Sequence, residues 1–330
     1  MRRNLDKKVT IITDITKIDR TAWAQFVQQS PTATWFQTPE AYNFYISVPQ
    51  QLRVFGVAVC EGTALRGIVV GFIPKDSNPL IRYFARRAII YGGPLLAEDI
   101  SEEELSALLK ALTDVLRRKA IYIETRNFCS LSAWEHVFEA CGFAYVPHYD
   151  MHIDCANRET MIRLIHDSKM RQIRKAEKDG VRIVEASTAQ EVHDYFVLLS
   201  RLYRQKVHRP LFGEEFFQRF VADKRGVLLL AKQAEQVVGG VLCPVLEGKV
   251  LYEWYIVGPA IVTWAGMDYA NRNELPIFDL MGGGTPDMAY GVRDFKQQFG
   301  SYIKKFGRYL HINNHFLYTL GTFGVKNILR

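Results

Sequence analysis

Residues 278–300 read FDLMGGGTPDMAYGVRDFKQQFG and bring several chemistry-bearing side chains together. Three consecutive glycines, Gly282, Gly283 and Gly284, lead to Arg293, Asp294 and Lys296, flanked by Phe295 and Phe299. Two readings compete. In one, the glycines permit positive φ and let a substrate approach backbone N–H donors closely. Arg293 and Lys296 then stand one helical turn apart, suited to an anionic group. In the other, a strand ends in a tight turn and Lys296 is a solvated helix residue; a glycine run alone does not choose between them. Asp279 follows Phe278 at the strand end and could act as a base, orient the loop or form an Asx turn. Asp287 and Asp294 are further candidate carboxylates. Upstream, in LYEWYIV, Glu253 and Tyr255 alternate with Tyr252 and Trp254, which places the two pairs on opposite faces of a strand.

Three other segments carry charge or aromatic side chains. Residues 203–212, YRQKVHRPLF, form a polar helix end stopped by Pro210, with Arg204, Lys206, His208 and Arg209. His208 ordinarily titrates near ~6.5 and could shuttle a proton, or stand as a plain surface histidine. The most basic stretch holds Arg163, Lys169, Arg171, Arg174, Lys175 and Lys178. Positions 171, 174, 175 and 178 fall on one helical face. That face suits RNA phosphates or anionic lipid headgroups, against the alternative of a solvated charged face. The C-terminal HFLYTLGTFGVKNILR is aromatic-rich with sparse basic residues, consistent with a packed tail or an interfacial membrane helix.

The elements that would position these groups alternate helix and strand. Helices are expected over 18–29, 39–46, 101–118 and about 130–141, and strands over 52–60, 65–73, 88–96 and 120–126. Ser101 followed by Glu104 is a capping box. The second half repeats the scheme: a basic helix over 158–179, a strand over 181–185 and helices over 188–206 and 213–222. Strands at 226–233, 236–246 and 249–257 follow, then a helix near 261–273, the strand PIFDLM, and a closing helix and strand around 291–310. Strand–turn–strand VLLLAKQ…QVVGGVLCPV parallels LRVFGVAVC…LRGIVVGFI, which implies two α/β units of about 150 residues with a boundary near 148–158.

Composition agrees with two globular units. The chain has 330 residues, 48% hydrophobic and 23% charged, enough to bury a sizeable core. Its formal charge of +7 suits an anionic partner without selecting one. Five cysteines without a CxxC pair support neither a disulfide framework nor a metal site. The basic N-terminus lacks the apolar core of a signal peptide, and no window approaches the ~20 apolar residues of a membrane span. A cytoplasmic protein is expected, with peripheral contact at the inner membrane face.

YGGPLL (91–96), RQIRKAEKDGVRI (171–183), VVGGVL (237–242) and the 278–300 string occur in the order and approximate separation found in FemABX-like proteins, which the chain resembles from about residue 20 onward. The resemblance implies an α/β (α+β) fold of two tandem acetyltransferase (GNAT)-like domains, each a mixed, mostly antiparallel sheet flanked by helices. The expected limits are 1–152 for the first domain, 153–308 for the second, which carries the active-site loop, and 309–330 for a tail packing back on the first.

Also implied is N-acyl transfer: an amide forms between an aminoacyl or acyl group and an amine of a peptidoglycan-precursor-like acceptor. By the same resemblance, Lys296 contacts phosphate and stabilises charge, the loop glycines and Arg293 bind substrate, and Arg209, with Lys206 behind it, meets substrate phosphates. The strand bearing Glu253 and Tyr255 borders the reaction centre in such a fold, making Glu253 a general-base candidate and Tyr255 a substrate contact, with Asp279 the other catalytic carboxylate. No tightly bound cofactor is expected; the co-substrate would be aminoacyl-tRNA, or acyl-CoA or an acyl-carrier protein. Two departures stand out. The coiled-coil arm linked to tRNA contact in some members is lacking. The link after YEWYIV is roughly ten residues shorter than usual, and no glycine-rich acetyl-CoA loop is present. Two alternatives remain: a GNAT-type acyltransferase using acyl-CoA or an acyl-carrier protein on a small-molecule or polysaccharide amine, and a non-catalytic RNA- or membrane-binding module using Arg171, Arg174, Lys175 and Lys178.

Overall fold

The computed structural model describes residues 9–76 and 79–328 and divides into two compact units, 1–147 with 306–330, and 148–305. In the first unit the strands are β1 (Val9–Ile12), β2 (Leu52–Glu61), β3 (Ala64–Pro74), β4 (Arg87–Gly92), β5 (Leu95–Leu96), β6 (Tyr122–Asn127), β7 (Ala144–Val146) and β16 (Arg308–Ile312). Its helices are α1 (Arg20–Gln29), α2 (Pro39–Ser47), α3 (Pro79–Phe84), α4 (Glu102–Leu116), α5 (Glu135–Ala140) and α12 (His315–Ile328). The second unit holds β8 (Asp150–Asp154), β9 (Val181–Glu185), β10 (Gly226–Gln233), β11 (Gln236–Leu246), β12 (Val250–Tyr252), β13 (Tyr255–Val257), β14 (Ile277–Asp279) and β15 (Tyr302–Lys304). Its helices are α6 (Arg158–Leu164), α7 (Asp167–Lys178), α8 (Ala189–Leu202), α9 (Glu214–Ala222), α10 (Ala260–Arg272) and α11 (Gly291–Gln297).

The two sheets have one plan. The first runs β1-β2-β3-β4-β6-β16-β7 with β5 beside β3, and the second runs β9-β10-β11-β12-β14-β8-β15 with β13 beside β11. Each is mostly antiparallel, with one parallel pair, β4 with β6 and β12 with β14. In each, the strand second from one edge is out of chain order: β8 is the first strand of its unit, and β16 comes from beyond the second unit. β8 follows β7 yet lies between β14 and β15, while β16 follows β15 yet lies between β6 and β7.

Local sequence explains the elements that hold these sheets. α4 opens on the Ser101–Glu104 capping box and buries Leu105, Leu108, Leu109, Leu112 and Leu116, the spacing of one helical face. Each such leucine contributes about 1.5–3 kcal/mol on leaving water. α10 buries eight of its thirteen residues, including Ala265, Gly266 and Met267. Gly266 is required there, because a Cβ would lie 2.3 Å from the Phe278 ring of β14.

Several expectations need correction. The helix expected over 158–179 is two helices, broken where Ile165 and His166 turn extended so that the His166 N–H reaches the Gln298 carbonyl. The helix over 188–206 leaves α geometry after Leu202, continues as a π turn over Tyr203–Val207 and ends at left-handed His208, before Pro210. The strand over 249–257 is interrupted at Glu253 and Trp254. The stretch around 148–158, expected as a boundary, contains β8, a strand with partners on both sides. The units therefore divide after Pro147 rather than after residue 152, and β16 makes part of the closing segment a sheet strand.

Candidate active site

Glu253 sits where a strand changes register. β12 pairs with β11 through Val245 opposite Leu251, whereas β13 pairs through Leu242 opposite Tyr255, so one extra residue is accommodated between them. The Trp254 N–H takes the Leu242 carbonyl and the Glu253 N–H takes the Asp279 carbonyl, at 3.0 and 2.8 Å. This bulge breaks the alternation that would place Glu253 and Tyr255 on one face, and re-aims the carboxylate.

That carboxylate meets Lys296. The two residues are 8% exposed or less, and Nζ lies 3.6 Å from Glu253 Oε1. Nζ also donates to the carbonyls of Leu280 and, at 3.3 Å, Gly282. Lys296 is therefore not a solvated helix residue: α11 delivers it beneath the glycine loop. Burial pushes Glu253 up to about 7 against the lowering pull of Lys296, with the charge of Asp279 adding to the rise. A carboxyl titrating there is suited to taking a proton near neutral pH.

The glycine loop is built differently from an open cradle. The Gly283 N–H donates to the Tyr149 carbonyl and the Tyr149 N–H to the Gly284 carbonyl, both at 2.8 Å, and His148 Nδ1 lies 2.5 Å from that carbonyl oxygen. Of the three glycines only Gly284 is left-handed, at φ 78°; Met281 shares that region at 57°. Gly283 is needed for close approach, since a Cβ there would meet Met151 at 2.9 Å. Arg293 is occupied inside the loop: it donates to the Thr285 carbonyl at 3.0 Å, reaches the Met288 carbonyl and stacks on Tyr149 at 5.3 Å.

Asp279, 1% exposed, is a positioning group in this geometry. Its Oδ1 accepts from the Met281 N–H at 2.6 Å, fixing the start of the loop, and its Oδ2 lies 3.4 Å from His152 Nε2. His152 in turn lies 3.8 Å from Asp150. Burial opposes the charge on His152, but the two carboxylates outweigh it and raise its pKa. Burial, with the charge of Asp279, raises Asp150. The ligand atoms of Asp150, His152 and Asp279 lie within 4.8 Å of one another, the one group among the described residues whose geometry could hold a metal ion. Sequence reading missed His148, Asp150 and His152. The signal was the alternation of Asp150, His152 and Asp154 along one face of what proves to be β8.

Tyr255 is half-buried in an aromatic wall with Phe217 at 5.2 Å, Trp254 at 5.5 Å, Phe216 at 6.1 Å and Tyr203 at 6.3 Å. Tyr203 begins the π turn, so Arg204, Lys206, His208 and Arg209 continue from that wall as exposed side chains. Arg171, Arg174, Lys175 and Lys178 are exposed on α7, opposite buried Ile173, and Lys175 pairs with Asp179 at 3.7 Å. What the fold brings together is Glu253, Lys296, Asp279 and the carbonyl face of the loop. Between β13 and α10 only Gly258 and Pro259 intervene.

The first unit lacks this pair at the matching register. Tyr91 is opposite Arg126 as Tyr252 is opposite Asp279, and Arg308 is opposite Arg126 as His152 is opposite Asp279. After Tyr91 come Gly92 and Gly93 where the second unit has Glu253 and Trp254. Glu124 instead binds Arg126 at 3.3 Å and Arg308 there.

Two sheets of this plan, each with its flanking helices, define a tandem GNAT-like fold. Among solved structures the chain is similar to FemX, with 15% identity and a TM-score of 0.69, covering 94% of this chain and 99% of that one. It is also similar to a tandem GNAT protein from the clavulanic acid biosynthesis pathway (12%, TM-score 0.57, 93% and 99% covered). A third is the C-terminal domain of a putative lysylphosphatidylglycerol synthetase from Agrobacterium fabrum (11%, TM-score 0.57, 93% and 95% covered). No family model and no curated protein matches the chain. The fold is the one the sequence motifs imply, and no helix among the described residues is long and apolar enough to cross a membrane.

Proposed function

We propose that the protein is an N-acyltransferase of FemABX type, joining an aminoacyl or acyl group to an amine of a cell-envelope, peptidoglycan-precursor-like acceptor. One observation carries this reading: the buried Glu253–Lys296 pair at a strand bulge, under the glycine loop of the second GNAT-like unit. Glu253 takes the proton of the acceptor ammonium. The neutral amine attacks the acyl carbonyl, a C–N bond forms, the bond from carbonyl carbon to the donor oxygen or sulfur breaks, and the amine's surplus N–H proton passes to that oxygen or sulfur, which leaves as a hydroxyl or thiol. Lys296 steadies the Glu253 carboxylate that accepts the proton, while Asp279 and Arg293 hold the loop in place. Tyr255 lines the substrate, and Arg209 and Lys206 meet its phosphates. The exposed cations of α7, Arg171, Arg174, Lys175 and Lys178, offer a surface for tRNA or another polyanion.

The two-residue link between β13 and α10 favours an aminoacyl donor, because it leaves no length for a glycine-rich loop around the pyrophosphate of acyl-CoA. Thermal-shift titration with acyl-CoAs, charged tRNA and peptidoglycan precursors tests the donor and acceptor. Stabilisation by an acyl-CoA alone would replace this reading with the GNAT-type alternative. Replacing Lys296 by Met should lower kcat/KM by about 10²–10⁴-fold. Full turnover by that variant would remove the site assignment.

A further inference from the structure

The first unit carries an apolar and cationic surface unconnected with this chemistry. Tyr83 and Phe84, at the end of α3, are 51% and 46% exposed; Phe316 and Leu320, on α12, are 72% and 46% exposed. Phe316 and Leu320 are four residues apart and share a helical face. The two helices meet, since the Phe84 carbonyl lies 3.7 Å from where a Cβ on Gly321 would stand. α12 is fixed with that face outward. Asn314 caps it through the Leu317 N–H at 2.9 Å, and Tyr318 packs edge-on against Tyr122 at 5.3 Å.

The segments around these four side chains are rich in arginine and poor in acid. Residues 77–97 contain Arg82, Arg86 and Arg87 and no acid; residues 115–123 contain Arg117, Arg118 and Lys119 and no acid; residues 306–330 contain no acid at all. Arg86 joins two of these segments, stacking on Tyr83 at 4.5 Å and donating to the Arg118 carbonyl at 3.4 Å. Arg82, Arg117 and Arg118 are exposed. Asp76 and Asp114 flank the acid-free runs in sequence, and Asp76 stands at the edge of the face, its carbonyl accepting from Arg82 Nε at 2.9 Å.

We propose that this face of the first unit docks on an anionic phospholipid bilayer. Exposed aromatic rings among arginines that outnumber the nearby carboxylates match the interfacial layer, where rings enter the headgroup boundary and guanidinium groups meet phosphates. Charge complementarity selects the anionic bilayer over a neutral one. The exposed, outward rings select a bilayer over a dissolved polyanion. The inference is independent of the acyltransferase reading, and its test involves no turnover.

The test is co-sedimentation of the full chain with vesicles of phosphatidylcholine alone and of an equimolar mixture with phosphatidylglycerol. Binding is expected to the mixture and not to phosphatidylcholine, falling as salt rises. Phe84→Ser with Phe316→Ser should lower it at least roughly tenfold. Arg82→Gln and Arg118→Gln should each lower it roughly fivefold. Phe316→Trp, which keeps a ring at the interface, should retain it, and unchanged thermal unfolding of each variant confirms that the fold is intact. Absence of binding, binding indifferent to these variants, or binding equal on both vesicles would overturn the proposal. So would a dimer dissolved by Phe316→Ser without vesicle binding, which would assign the face to a second copy.

Discussion

At the scale of single residues, the chemistry rests on a carboxyl moved out of its ordinary range. Glu253 titrates near 7 when folded and near 4.5 as an ordinary carboxyl, because burial outweighs the attraction of Lys296. If it accepts the amine proton, the pH profile of kcat/KM should rise through a limb near 7 and level off above it. Glu253→Gln should remove that limb and lower turnover by about 10²–10⁴-fold. Lys296→Met should instead move it to higher pH, since the lysine is what holds the value down. A limb unchanged in both variants would assign the titration to another group. The same shift has a consequence for stability. The folded state binds the proton more tightly, so Glu253's contribution is fully present below pH ~4.5 and is lost as pH rises through ~7. Chemical denaturation of Glu253→Gln across that window should lack this slope.

Elements determine whether the pair forms. The bulge holding Glu253 depends on the close approach of β11 to β13. A Cβ on Gly239 would lie 2.8 Å from the Val257 carbonyl oxygen and 3.0 Å from Gly258 Cα. Gly239→Ala should therefore destabilise the protein by about 1–3 kcal/mol, although alanine is the less flexible residue in the unfolded chain. Backbone at that distance cannot step aside as a flexible side chain can. Urea denaturation measures the cost, and equal stability would show that the strands can part locally.

The loop, α11 and Lys296 were legible in the sequence because FD, GGG and VRDFK mark a strand end, a turn and a helix start within one continuous string. The bulge was not legible: LYEWYIV has the alternation of an unbroken strand, and only pairing with β11 displaces its two halves by one residue. Nor was the partner of Asp279. His152 and Asp150 lie on a strand whose neighbours are more than a hundred positions away, so the stretch looked like a connection. Arg293 was read as a substrate contact because a cation one turn from a lysine suits an anion. The structure spends its donors on the loop's own carbonyls.

At the scale of the molecule, one sheet plan appears twice, and among the described residues the buried glutamate–lysine pair is in the second copy. In the other copy Glu124, held at about 2, joins Arg126 and Arg308. Its pKa is low because the guanidinium groups of Arg126, Arg308 and Arg87 overcome the cost of burial. Arg308 lies on β16, so removing the chain from residue 308 onward takes away a partner of this carboxylate and the strand between β6 and β7. A chain ending at residue 307 should lose the cooperative unfolding transition of the first unit, read by calorimetry or by hydrogen exchange at Tyr122–Asn127. Protection there equal to that of the full chain would mean the sheet closes without it.

The placement of β16 also bears on synthesis. Tyr309 donates its N–H to Thr125, 184 residues earlier. A nascent chain that has emerged as far as β7 therefore has an open slot in its first sheet, with unpaired strand edges that invite other chains. Finishing the first-made unit must wait for residues 308–312, which are made after the whole of the second unit. Order of emergence and order of completion run opposite ways in this molecule, and a ribosome-bound intermediate is the state in which a chaperone would have most to protect.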